Sequence, residues 1–193
     1  MTEIQFGYQL ILVSGPPRAG KNRAGNCLKG WLDGDHFALS NNLKRMTHDH
    51  YGLGTNLPPL HFEDMKDLPA PQFGGLTPRQ AYIRFSEEIM KPRFGSGYLG
   101  VVAGRRVVRN RDIGRVSIVS GVGFADEVMP MVKAAEPRCT LHIQVEAAIA
   151  RAGSMSDSRK VLDLANLGVD TVRLVNRNCE QLIRDLERSL RAL

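Results

Sequence analysis

A lysine preceded by two glycines at fixed spacing, in Gly15-Pro16-Pro17-Arg18-Ala19-Gly20-Lys21-Asn22, is the group in this chain best suited to chemistry. Gly-x-x-x-x-Gly-Lys is the spacing of a phosphate-binding loop. Glycine is needed where the backbone turns sharply and brings its N–H groups close to phosphate oxygens. Lys21 is expected to reach the β- and γ-phosphates, and a helix starting there points its positive end at the same anion. The position after the lysine usually carries Ser or Thr for Mg²⁺. Here it is Asn22, whose side-chain oxygen can ligate a hard cation from a different position. Pro16 and Pro17 remove two N–H donors on the strand side of the loop. A glycine-rich turn with a chance Gly-Lys has the same letters; the order strand, loop, helix separates the two readings.

That order must come from the flanking elements. Leu10 to Val13 is an apolar, partly β-branched run that predicts a buried parallel strand. The helix over about 22–31 contains Gly25 and Gly30, each ~1 kcal/mol less favourable than Ala in a helix interior. Such glycines either admit close packing on a sheet or mark a short helix. Phe37 to Leu39 predicts a brief second strand, and 41–51 a helix with Leu43, Met46 and Tyr51 as its apolar residues. From 52 to 75, Pro58, Pro59, Pro69 and Pro71 and the lack of periodicity predict a long irregular connection, the kind that often binds substrate. Thr77-Pro78-x-Gln80 starts a helix with a capping box, and Ala81, Tyr82, Phe85 and Ile89 form its apolar face up to Pro92.

The stretch 93–115 combines Gly95, Gly97 and Gly100 with Arg105, Arg106, Arg109, Arg111 and Arg115. It reads equally as an exposed basic loop with an apolar patch or as a surface that tracks a phosphate backbone. Val116 to Val119 is another β-branched run. It ends at Ser120 to Glu127, a turn expected beside the phosphate loop because ligands in open parallel sheets lie beyond the carboxyl ends of the strands. Pro130 leaves the start of the following helix open. Leu141, Ile143 and Val145 alternate as a strand; 147–150 is helix-like and 153–158 polar. Val172 and Leu174 mark a last strand, and Asn178 and Gln181 cap a closing helix with Cys179, Leu182, Ile183, Leu186 and Leu190 on its apolar face. His48 and His50, at i and i+2, do not share a helical face, so polar or stacking roles fit them better than metal ligation. The alternation predicts an α/β fold, three layers with a mainly parallel sheet.

The 193 residues suit one domain, and no apolar run is long enough to span a membrane. Cys27, Cys139 and Cys179 are odd in number and widely spaced, which argues for reduced thiols in a cytoplasmic setting. The net charge of +6 attracts polyanions, nucleic acid above all, although a solvated basic face or a nucleotide-phosphate site has the same composition.

With these motifs in place the chain resembles the phage deoxynucleoside monophosphate kinases and other P-loop NTPase-fold kinases over most of its length. Gly15 to Asn22 is similar to that family's loop, with Arg at Arg18 and commonly Asp where Asn22 stands. Phe37-Ala-Leu-Ser-Asn-Asn-Leu43-Lys44, Leu76-Thr77-Pro78-Arg79, Ser120 to Glu127, the lid-like Asp157-Ser158-Arg159 and Val175-Asn176 are similar to further segments. The chain departs from the pattern at Gly121 and Gly123, where the family has Asp and Arg, and at Leu39, where it has Asp. Loss of the arginine removes a guanidinium suited to a monophosphate acceptor. In that respect the chain is more similar to phage kinases that phosphorylate 5-hydroxymethyluracil within DNA.

The resemblance implies one kinase domain over 1–193, with an acceptor region at about 41–115 and a lid-like segment at about 151–165. It implies ATP as donor and Mg²⁺ as cofactor, and host cytoplasm as the compartment if the chain is phage-encoded. The phosphates would lie on Gly15, Pro16, Pro17, Arg18, Ala19, Gly20, Lys21 and Asn22, with Asn22 near the metal. Lys21 and a lid arginine, Arg151 or Arg159, would stabilise charge on the transferred group. By position, Asp35, Asp126 or Glu127 would accept the hydroxyl proton. DNA carrying modified pyrimidines is the implied partner, with Tyr51, Phe73 or Tyr98 available to stack on the acceptor base. Two readings stand beside it: a free deoxynucleoside monophosphate kinase, and a P-loop protein that binds nucleotide or DNA without turnover.

Overall fold

The computed structural model describes residues 7–148 and 162–193, in two compact units: 1–38 with 100–193, and 39–99. The larger unit is built on a five-stranded, wholly parallel sheet in the order β2-β3-β1-β4-β5. Its strands are β1 (Leu10–Ser14), β2 (Asp35–Ala38), β3 (Ser117–Val122), β4 (Thr140–Ala147) and β5 (Asp170–Asn176). β1 is central, with residues 10–14 all buried, as its near-continuous apolar run requires.

Alternation divides the strands between two faces. On one, Ile11, Val13, Ile118, Leu141, Ile143, Val145 and Leu174 pack against Ala24 and Leu28 of α1 (Lys21–Leu32) and Leu182, Leu186 and Leu190 of α7 (Cys179–Arg191). Asn178 caps α7 by accepting from the Gln181 N–H. At side-chain burial of ~1.5–3 kcal/mol for each large aliphatic, this face is a strongly stabilising layer of the unit. Leu10, Leu12 and Val119 face the other way, where α6 (Ala125–Ala135) contributes Val128, Met131 and Val132.

The stretch read as a basic loop is instead mostly a helix, α5 (Tyr98–Asp112). Its glycines are packing residues. A Cβ on Gly100 would lie 2.0 Å from the Glu127 carbonyl oxygen of α6, and one on Gly104 would lie 3.2 Å from that of Pro130. Backbone approach of this kind suits glycine in a helix despite its low propensity. Pro130 sits inside α6, at its sixth residue.

The smaller unit contains α2 (Ser40–His50), two short 3₁₀ turns at Pro59–Phe62 and Pro71–Phe73, and α3 (Pro78–Phe85). Thr77 and Gln80 form the predicted reciprocal cap of α3. The helix does not stop before Pro92. A π-helical turn (Ser86–Met90) carries it into α4 (Lys91–Phe94), and a wider turn relieves the clash a proline ring makes with the carbonyl four residues earlier. Phe62, Ala70, Phe73 and Ala81 make this unit's core, and His48 is buried among its rings. The His48 Nδ1–H donates to the Leu57 carbonyl at 2.7 Å, and Nε2 lies 2.9 Å from the Tyr82 hydroxyl. His50 lies against Tyr51 and Phe85. His48 stacks on Tyr82, whereas His50 meets its neighbours edge-on or tilted. No described helix is long and apolar enough to cross a membrane.

Candidate active site

The loop between β1 and α1 is fixed by contacts that only its own residues permit. Gly15 has φ +140°, and a Cβ there would lie 2.0 Å from the Val145 carbonyl oxygen of β4. Gly20 has φ +96°, and a Cβ there would lie 2.8 Å from Asn176 Nδ2. Asn176, at the end of β5, donates from that same nitrogen to the Ala19 carbonyl at 2.8 Å. Arg18 is left-handed at φ +63°, a conformation that costs a non-glycine residue roughly 1 kcal/mol or more. Positive φ at 15, 18 and 20 bends the backbone sharply just before and at the N-terminus of α1, the kind of turn whose N–H groups can face an anion. The Lys21 ammonium folds over this loop, donating to the carbonyls of Gly15 (2.9 Å) and Pro16 (2.6 Å).

A polar chain runs behind the loop. Ser120 on β3 donates from Oγ to Asn22 Oδ1 at 2.9 Å. His36 on β2 places Nε2 3.0 Å from Ser120 Oγ and Nδ1 2.8 Å from Asn26 Oδ1, one turn along α1 from Asn22. Burial and the nearby Lys29 charge hold His36 below the usual histidine range, against a smaller opposing effect of Asp35. Gly25 makes room for the ring: a Cβ there would lie 2.3 Å from His36 Nε2. So one of the two α1 glycines admits close packing on the sheet, while Gly30 has nothing within 4 Å.

Below the loop, Ser14 Oγ lies 2.7 Å from Nε2 of His142, a fully buried residue of β4 whose Nδ1 lies 3.4 Å from Thr171 Oγ1. Burial pushes His142 down to about 4; the Arg173 charge acts in the same direction and Asp163 opposes it. The imidazole is therefore neutral at pH 7 and supports the strand end on which the loop begins.

Of the proposed proton acceptors, Asp35 is not brought to this site. It pairs in register with Ser117, level with Leu10, at the amino edge of the sheet. Four residues of strand, ~13 Å, separate that level from Ser14. Its carboxylate is held by Arg106 (2.6 and 2.7 Å) and Asn110 (2.8 Å), and the Arg106 guanidinium keeps it below the usual carboxylate range. Arg106 also lies over the Phe37 ring, 4.2 Å from its centroid. Sequence proximity to α1 suggested Asp35, but the strand leads away from that level before it reaches the loop's edge. Asp126 is exposed in the first turn of α6, directly after β3, at the same sheet edge as the loop; Glu127 beside it is buried.

The arginine cluster splits similarly. Arg106 is paired with Asp35, Arg111 donates to the Ala134 carbonyl at 3.0 Å, and Arg115 donates to the Asp33 carbonyl at 3.3 Å, just before β2. These groups gather at or near the amino edge, opposite the loop. Phe73, offered for base stacking, is 1% exposed and packs on Phe62 and Tyr51; Tyr98 is stacked on Phe94. Arg151 and Arg159 lie outside the described residues, as does 151–161 of the lid-like segment.

The residues present suit the phosphates of a nucleotide: a positive-φ backbone turn, a helix N-terminus and an ammonium lie together in the loop. A protein-caged Mg²⁺ does not fit in the same way. Among the described residues no three His, Cys, Asp or Glu side chains gather as a metal site, and the Asn22 oxygen is already bonded to Ser120. An ion carried by the phosphates with its own water does fit, since Mg²⁺ is usually held by substrate phosphates and few protein ligands.

No known protein family matches the chain, and no curated protein does. Among solved structures, a gluconokinase from Sinorhizobium meliloti 1021 is similar with a TM-score of 0.52 and 12% identity, covering 96% of this chain and 93% of that one. A sugar kinase from Janibacter sp. HTCC2649 gives a TM-score of 0.49 at 13% identity over 95% and 92% of the two chains. The all-parallel sheet, the loop between β1 and α1 and the first likeness agree. The fold is that of a P-loop kinase.

The sequence pointed to Gly15–Asn22 but not to His36 as their support. Period-two alternation puts His36 and Ser120 on one face only after the β2–β3 register is known. Nothing in the sequence alone supplies that register.

Proposed function

We propose that this chain is an ATP-dependent phosphotransferase that moves the γ-phosphoryl group to an acceptor hydroxyl. The single observation that supports this reading is the backbone turn of Gly15 to Lys21, fixed by β4 and β5 and covered by the Lys21 ammonium. On binding, that ammonium exchanges two carbonyl dipoles for fully charged phosphate oxygens, a stronger charge-assisted contact. Backbone N–H groups at the start of α1 hold the transferring group in line. Catalysis of this kind is mostly positioning and charge neutralisation. Mg²⁺, when bound with the nucleotide, neutralises phosphate charge. Asp126 is the acidic group whose place at the loop's edge favours it as acceptor of the hydroxyl proton.

For the acceptor, the placement of Arg106, Arg111 and Arg115 away from the loop supports a free small molecule over a DNA strand. A sugar acid, as in the name of the gluconokinase, belongs to this class. The net charge of +6 and the resemblance to phage enzymes support the second reading, the hydroxymethyl group of 5-hydroxymethyluracil in DNA. A transfer assay with γ-labelled ATP decides among them, using gluconate, free 5-hydroxymethyl-dUMP and DNA containing 5-hydroxymethyluracil. Label on a free acceptor supports the first reading, and label only on DNA supports the second. ATP binding without label on any acceptor or in released phosphate would leave a nucleotide-binding protein and sink the enzyme reading.

A further inference from the structure

We infer that the outer edge of β5, with α7 beside it, is a docking groove for an extended acidic segment of a partner protein, which adds to the sheet as a further strand. Arg173, Leu174 and Val175 of β5, with Arg177, Asp185 and Arg188 on the α7 side, line one groove of about 300 Å³. Side chains of consecutive strand residues point to opposite faces, so a groove that touches all three of 173–175 runs along the strand's backbone edge. Among the described residues β5 pairs only with β4, and that outer edge has no strand beside it. Its backbone N–H and C=O groups are a template for another extended chain.

Charge selects the occupant. Three arginines line the groove against one carboxylate, and Asp185 is already paired with Arg188 at 3.6 Å. Arg173 and Arg177 are exposed and have no partner among the described residues. Acidic side chains on an incoming strand meet this excess positive charge. Val175, 41% exposed, lies between the two arginines in sequence and leaves an apolar contact there. From Arg173 to Arg177 is four residues, up to ~13 Å, room for about four residues of an added strand. A second copy of this chain suits the groove poorly, because pairing two β5 edges sets arginine against arginine. Nucleic acid suits it poorly too: no aromatic ring lines the groove for a base to stack on, and phosphates leave the N–H and C=O edge unmet. Arginine on an edge strand also deters unselective strand addition, so protection of the edge and choice of partner are served by the same side chains.

Fluorescence anisotropy of the full chain with a labelled, end-capped peptide of about six residues, alternating glutamate and valine, tests this. The peptide should bind, and Arg173→Ala combined with Arg177→Ala should weaken it by about tenfold. Proline at the valine positions removes N–H donors while keeping the charge, and that peptide should bind at least about tenfold more weakly. Arg173→Glu combined with Arg177→Glu should reverse the preference toward a peptide with lysine for glutamate. Both positions are exposed, and urea unfolding of the variants separates lost binding from lost structure. In the wild type, NMR should show the amides of 173–175 shifting as the peptide is added, a readout that needs no variant. No binding of the glutamate peptide, equal binding of the proline peptide, or binding unchanged by either pair of substitutions would overturn the inference. Tighter binding of an oligothymidylate or of inorganic phosphate, lost with the same arginines, would overturn it in favour of a nucleic-acid or free-anion site. Neither ATP nor an acceptor enters the test, so its outcome is distinguishable from failure of the phosphotransferase reading.

Discussion

Acidification should destabilise the larger unit through His142 by an amount that can be worked from its burial. Its folded pKa is about 4 because the ring is buried, whereas an unfolded histidine titrates near 6.5. Because the folded value is the lower one, the unfolded chain binds more protons between the two values, and stability falls as pH falls through that window. The contribution is intact above about pH 6.5, is reduced by roughly 1.4 kcal/mol at about pH 5.5, and by roughly 2.5 kcal/mol at about pH 4.5. It levels off below about pH 4, where both states are protonated. The wild type and His142→Gln should be compared by urea unfolding followed by circular dichroism across this range. Glutamine keeps an amide that can bond Ser14 but does not titrate. Other histidines and carboxylates titrate in both proteins, so the difference between the curves isolates His142. The variant is expected to be the less stable at neutral pH and to close the gap steadily on acidification. Parallel curves would refute the reasoning, as would an NMR titration placing the His142 ring near 6.5.

Four other outcomes follow from the geometry. Lys21→Ala should reduce kcat/KM for phosphoryl transfer by about 10³-fold or more, while shifting urea stability by no more than about 0.5 kcal/mol; near-normal turnover would remove the loop from its role. Gly30→Ala should stabilise by ~0.5–1 kcal/mol through helix propensity, because nothing lies within 4 Å of the added methyl. Gly25→Ala, with the same propensity gain, should instead lose stability by ~1–3 kcal/mol from overpacking against His36, and paired thermal melts would read the opposite signs. Asp35→Asn should leave transfer rates within about twofold and lower stability by up to about 1 kcal/mol, since its partner Arg106 is partly exposed; an inactive but folded variant would return Asp35 to the chemistry.

Much of the layer arrangement was legible because it depends on local patterns. Apolar runs at Leu10–Val13 and Val116–Val119, separated by helical periodicities and joined to the Gly15–Lys21 spacing, leave few alternatives to a parallel sheet. The capping box of α3 and the Asn178 cap and Leu182, Leu186 and Leu190 stripe of α7 were equally local, although Cys179 is exposed. Misreadings arose where distant partners decide. Gly100 resembles a loop residue until α6 is seen lying against it, so α5 was hidden. The arginines on and after α5 read equally as an exposed basic loop or a polyanion surface, and the partners of three of them, Asp35, Ala134 and Asp33, could not be foreseen. Asp35 and His36 are consecutive, yet one belongs to the amino edge and the other reaches Ser120 near the loop. Strand direction and register separate their roles, and neither is written in the order of the residues.

The Lys21 contact with the Gly15 and Pro16 carbonyls bears on how nucleotide affinity is partitioned. Pro16 and Pro17 restrict φ in the loop, and the ammonium bridges two of its carbonyls. Conformational entropy has thus already been surrendered during folding, before any phosphate arrives. On the proposed reading, nucleotide capture would be an exchange of partners around a standing scaffold, with little of the binding free energy diverted into ordering backbone.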